Sequence, residues 1–133
     1  MRKANGPFGG PELQAGTSRT FAVLAGTCNS NAAAYSLNVT VVPDAQLGDL
    51  TIWPPGQTQP LVSTLNALTG AITANAAIVS AGSSGDISLY ASNDTDIVID
   101  VNGYFAPAGT GGLSRRTVEP CRVLDTRRAP SEI

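Results

Sequence analysis

Tyr35, Leu37, Val39 and Val41 alternate with Ser36, Asn38 and Thr40. A helix would gather apolar residues three and four apart. Strict alternation instead places every second side chain on one face of an extended strand. The same period of two returns at Phe21, Val23 and Ala25, at Leu50 and Ile52, at Ile87 and Leu89, and at Ile97, Ile99 and Val101. A chain built this way has to stack one-sided strands into sheets that cover each other's apolar faces.

The breaks between these runs are turn chemistry. Pro43-Asp44 and Leu47-Gly48 mark one turn, and Trp53-Pro54-Pro55-Gly56 stops the strand through Leu50 and Ile52. Leu61 to Asn66 and Ala71 to Val79 read as two further strands around Leu68-Thr69-Gly70. The second is Ala-rich, but Gly70 before it and Ser80-Ala81-Gly82 after it favour a strand over a helix. Eight or nine short strands predict an all-β protein, a two-sheet antiparallel β-sandwich of the jelly-roll or Greek-key kind. The expected core is Phe21, Val23, Leu37, Val39, Ile52, Leu65, Ile78, Leu89, Ile99 and Val101. Residues 1–18 read as an irregular opening segment anchored by Phe8 and Leu13. The body is expected to run over 1–105, followed by a Gly/Ala-rich connector at 106–116. A last strand and tail follow at 117–133, with the strand at Val118 to Asp125.

At 133 residues the chain has the size of one domain. It contains no His, which removes the usual Ser and Cys triads and His metal sites. Charged residues are only 14%, against about 25% in typical domains. They are also segregated. From Thr20 to Ser114 there is no Lys or Arg, only Asp44, Asp49, Asp86, Asp94, Asp96 and Asp100. All eight basic residues lie toward the ends, at Arg2, Lys3, Arg19, Arg115, Arg116, Arg122, Arg127 and Arg128. An acidic body offers no track for phosphates, so nucleic acid is not an expected partner. Basic ends are suited to dock on that body, in the same chain or in the next.

No run approaches the roughly 20 apolar residues of a membrane span, and membrane insertion is not expected. Met1-Arg2-Lys3 has no apolar stretch behind it and is not an intact signal peptide. The Lys-poor, Thr- and Asn-rich composition nevertheless suits an exported protein. Export would favour a disulfide between the two cysteines, Cys28 and Cys121; two buried free thiols are the alternative. The long loop so closed would contribute about 4–5 kcal/mol in the entropic account. No CxxC pair points to zinc.

The remaining constellations carry little chemistry. Asn93-Asp94-Thr95-Asp96 is oxygen-rich but lacks the spacing of an EF-hand and reads as an Asx turn. Asp100 reads as an outward strand residue, with Arg122 or Arg127 as the candidate partner if it is buried. Asp125-Thr126-Arg127 reads as a structural turn that pins a strand end. Asn38-Val39-Thr40 and Asn93-Asp94-Thr95 match the glycosylation pattern, and we read them as coincidence. Trp53, Tyr35, Tyr90 and Tyr104 are the side chains able to stack on a sugar, although core packing is the commoner use of such residues. No catalytic, metal or cofactor residue is expected.

Several blocks, taken in order, cover nearly the whole chain. They are Gly6-Pro7-Phe8-Gly9-Gly10-Pro11, Tyr35-Ser36-Leu37-Asn38-Val39-Thr40, Leu50-Thr51-Ile52-Trp53-Pro54, Ser63-Thr64-Leu65-Asn66, Ala74-Asn75-Ala76-Ala77, Asp100-Val101-Asn102-Gly103-Tyr104-Phe105 and Cys121-Arg122-Val123-Leu124-Asp125-Thr126-Arg127. Together they resemble a module that recurs in secreted proteins of Acidobacteria and Actinobacteria. The resemblance implies an extracellular all-β module, often in tandem, with no established catalytic activity or transferable ligand. In that family the Val-Leu-Asp-Thr-Arg block comes first; here it comes last. The resemblance therefore implies a circularly shifted module whose opening strand sits at its C-terminus.

A module without its first strand has an open edge to fill. Its own C-terminal strand can return through the connector, which spans roughly 35 Å when extended, or a neighbouring copy can supply the strand. The expectation is donation. Val118, Cys121, Arg122, Val123, Leu124, Asp125 and Arg127 form the assembly strand, and Cys121 bonds Cys28 of the neighbour near residues 1–28. The function so implied is a non-enzymatic extracellular module that joins copies of itself into a fibre or ring. The alternative is a monomeric adhesion module whose partner is surface polysaccharide.

Overall fold

The computed structural model describes residues 11–23, 32–107 and 109. Seven strands form with no helix among them: β1 (Thr17–Ala22), β2 (Ala34–Pro43), β3 (Leu47–Trp53), β4 (Leu65–Ala67), β5 (Thr73–Ser80), β6 (Asp86–Ala91) and β7 (Thr95–Phe105). One sheet has the order β1-β6-β3-β4 and the other β5-β2-β7, with every pair antiparallel. This is the expected two-sheet β-sandwich. Every connection except β3 to β4 passes from one sheet to the other. The two apolar faces are thus brought together by the path of the chain itself.

The alternation in β2 sets the core. Tyr35, Leu37, Val39 and Val41 are all buried. Opposite them the other sheet contributes Leu47, Leu50, Ile52, Leu65, Ile87, Leu89 and Ala91. Tyr35 lies 1% exposed, and its hydroxyl donates to the Gly85 carbonyl at 2.8 Å. That bond ties β2 to the turn before β6. Tyr35→Phe leaves the buried carbonyl without this donor and is expected to lower stability by about 1–2 kcal/mol. Chemical denaturation of the two proteins measures the difference.

Five of the expected core residues, Leu37, Val39, Ile52, Leu65 and Leu89, are buried. Phe21, Val23, Ile99 and Val101 pack on the core but are only half-buried. Ile78 is a correction, being 54% exposed. Its neighbour Val79 faces Tyr35 and is buried in its place. Two bulky residues stand side by side in an Ala-rich strand, and only the register with β2 decides which points inward.

Three boundaries also move. Leu47-Gly48 begins β3 rather than making a turn. Gly48 is suited to this position because a Cβ there would come within 2.9 Å of the Ser92 hydroxyl. The strand expected from Leu61 starts only at Leu65, since Leu61 and Val62 are exposed. Before it, the Thr64 hydroxyl accepts from the Ile52 amide at 3.1 Å, a side chain standing in for a ladder partner. The first strand ends at Ala22, and Val23 lies in a turn.

Candidate functional site

The two sides of the sandwich are closed differently. On one side β4 neighbours β5. There the Asn75 side-chain Nδ2 donates to the Thr64 carbonyl at 2.8 Å. The other side lies between β1 and β7, the end strands of their respective sheets. Among the described residues a short crossing joins them: Leu13 and Thr95 exchange backbone hydrogen bonds of 3.0 and 3.1 Å. Asp94 reinforces it by accepting from the Ala15 amide at 2.7 Å. Leu13, expected as an anchor, is buried at this crossing.

Beyond the crossing, the inner faces of both edge strands are incompletely covered. On β7 the inward residues Ile97, Ile99 and Val101 are half-buried, opposite Val41, Val39 and Leu37 of β2. On β1 the inward residues include Arg19 and Phe21, which oppose Leu89 and Ile87 of β6. The Arg19 guanidinium sits 4.6 Å from the centroid of the Phe21 ring and donates to the Pro11 carbonyl at 2.8 Å. A charge facing inward on an edge strand discourages another strand from pairing there. β7 carries no such charge on its inner face.

The backbone of β7 has a direction of its own. Both polar groups of Thr95 point away from β2, toward Leu13. Strand geometry repeats every two residues, so the N–H and C=O of Ile97, Ile99 and Val101 point the same way. Among the described residues, nothing hydrogen-bonds to these three on that side. Pro11 lies two residues before Leu13 and would fall opposite Ile97. It has no N–H to give, so the pairing begun at Leu13 cannot continue through it.

The other expected residues divide as follows. Tyr35 and Trp53 are buried and Tyr90 is half-buried, which leaves Tyr104 as the exposed member of the four aromatics. Asn93 does turn work: its Oδ1 accepts from the Gly48 amide at 3.1 Å. Asp100 is exposed on the outer side of β7. Cys28, Cys121, Val118, Arg122, Val123, Leu124, Asp125 and Arg127 lie outside the described residues, as does most of the connector. Among the described residues no group of three or more Cys, Asp and Glu side chains is placed to hold a metal ion. Nor is any helix there long and apolar enough to cross a membrane.

The fold defines the class: a two-sheet antiparallel β-sandwich, which the described residues close on one side and leave open on the other. No family model, curated protein or solved structure matches the chain.

Proposed function

We propose that this protein is a non-enzymatic structural module of the cell exterior. It joins copies of itself head to tail by passing residues 117–127 from one copy into the next. The observation that carries this reading is the side between β1 and β7 that the described residues leave open, where Phe21, Ile97, Ile99 and Val101 are half-covered. A sandwich with an incomplete side gains by accepting one more strand. The chain holds a suitable one beyond β7, in Val118 to Asp125. A contact of this kind uses different surfaces on the two copies, so it closes into a ring or extends as a filament.

In this reading Cys121 of the donor bonds Cys28 of the acceptor. Forming the bond removes two protons and two electrons from the thiol pair, and exchange passes them to an oxidised disulfide donor of the export compartment. The sugar-binding alternative has less to stand on, because a stacking platform needs exposed aromatic faces and, among the described residues, Tyr104 alone supplies one.

A non-reducing denaturing gel of the oxidised protein tests the proposal. A ladder of multimers that collapses to one band on reduction is the expected result. A monomer with one internal disulfide, persisting at high concentration, rules donation out.

A further inference from the structure

We infer that the acceptor for this strand is the outer edge of β7, at Ile97, Ile99 and Val101, and that its occupant is residues 117–127 of a second copy. The inference rests on the head-to-tail reading above and adds the place where the copies join. Both end strands of the open side are candidates, and three observations separate them.

The first is chemical. The inner face of β1 carries Arg19, held over Phe21 and against Pro11. A strand laid along that edge would bring its own inward side chains against a guanidinium. The inner face of β7 offers Ile97, Ile99 and Val101 instead. The second is the backbone. At the same three residues the N–H and C=O groups face off the sheet, so one incoming strand would satisfy the ladder and cover the side chains together. The third is that the N-terminal segment starts this pairing at Leu13 and is halted by Pro11. Among the described residues, the rest of the edge is left open to a different strand.

The occupant is argued from its sequence. Alternation over Val118 to Asp125 puts Glu119, Cys121, Val123 and Asp125 on one face and Val118, Pro120, Arg122 and Leu124 on the other. With Cys121 and Val123 turned inward, the centre of the strand extends the apolar face of β7, and the inward acids Glu119 and Asp125 fall at its two ends. Arg122 then lies on the outer side, the side of β7 that carries Asp96 and Asp100. Arg122 is thus opposite in sign to the carboxylates it meets, while residues 117–127 as a whole are neutral, Glu119 and Asp125 balancing Arg122 and Arg127. The 106–116 connector is longer than the two to five residues or so that usually join adjacent antiparallel strands, which fits a strand that leaves its own body.

The full-length protein tests this with two readouts, oligomeric state by sedimentation and amide exchange at Ile97, Ile99 and Val101. The expected result is an oligomer in which these three amides exchange roughly 100-fold or more slower than open amides do. Fast exchange at all three in an oligomer overturns the β7 acceptor and leaves head-to-tail assembly standing. Slow exchange in a monomer shows the chain's own segment on the edge and overturns both. Fast exchange in a monomer also overturns both. A second variant sharpens the test. Ile99→Pro removes an N–H that points away from β2, and proline is tolerated on edge strands in that orientation. It should abolish assembly and leave the far-UV spectrum of the sandwich unchanged. Wild-type assembly by a folded Ile99→Pro protein contradicts the inference.

Discussion

Replacing Leu50 by Ala should lower the unfolding free energy by about 2–5 kcal/mol. Leu50 is wholly buried in β3, where it faces Ala91 of β6 and Leu65 of β4. Truncation removes three carbons from the centre of the sandwich. The backbone cannot collapse into the space, because the Leu50 carbonyl also accepts from the Thr64 amide at 2.7 Å. Small domains hold only about 5–15 kcal/mol in total, so the loss is a large fraction of stability. Urea denaturation measures it as a lower midpoint with an unchanged slope. Ile78→Ala is the matching control. That side chain is 54% exposed, and its loss should stay within about 0.5 kcal/mol. Equal losses at the two positions would contradict the register of β5 on β2.

The second large effect is expected at Gly70. It closes the turn between β4 and β5 with φ +74, and its amide donates to the Ala67 carbonyl at 2.9 Å. A Cβ added here would stand 3.0 Å from the Ala45 carbonyl carbon and 3.0 Å from its oxygen. Gly70→Val meets both penalties. A β-branched residue at positive φ is strained by roughly 1–3 kcal/mol, and the contact with rigid backbone adds to this. We expect a total of about 2–4 kcal/mol. Thermal denaturation of the variant checks it. A variant as stable as the parent would show that the turn re-forms with a different backbone. Gly16→Ala serves as a comparison, because its added Cβ meets nothing within 4 Å and only the φ of +69 is unfavourable.

The strands whose pattern is strict were legible in the sequence. Tyr35 to Val41 alternates without a break, and the structure buries the same four residues. Ile97, Ile99 and Val101 alternate as cleanly, so their shared inward face was readable. Their partial cover was not, because it depends on β7 ending a sheet, and strand order is a long-range property. The same limit hid the inward Arg19. Nothing near it in the chain shows that it opposes buried Leu89. Ile78 was misread for a local reason: Ile78 and Val79 are adjacent, and the Ala residues around them give no period to follow. The turns marked by proline and glycine were read well at Trp53-Pro54 and Gly70. They were read poorly at Gly48, where glycine serves a close approach to Ser92 rather than a turn.

The placement of β2 has a consequence for how the protein is made. β2 is flanked on one side by β5 and on the other by β7, the last described strand. Ala34 is matched with Phe105, so the start of one partner waits for the end of the other. During synthesis a chain that has emerged only as far as Ser80 can pair β2 with β5, but the other side of the same strand stays bare. Such a partial sheet is sticky, and contacts so distant in sequence form slowly. Chain length itself therefore acts as a checkpoint: pairing of β2 with its second partner is complete only after residue 105 is available, and a product truncated before β7 would carry an unprotected central strand.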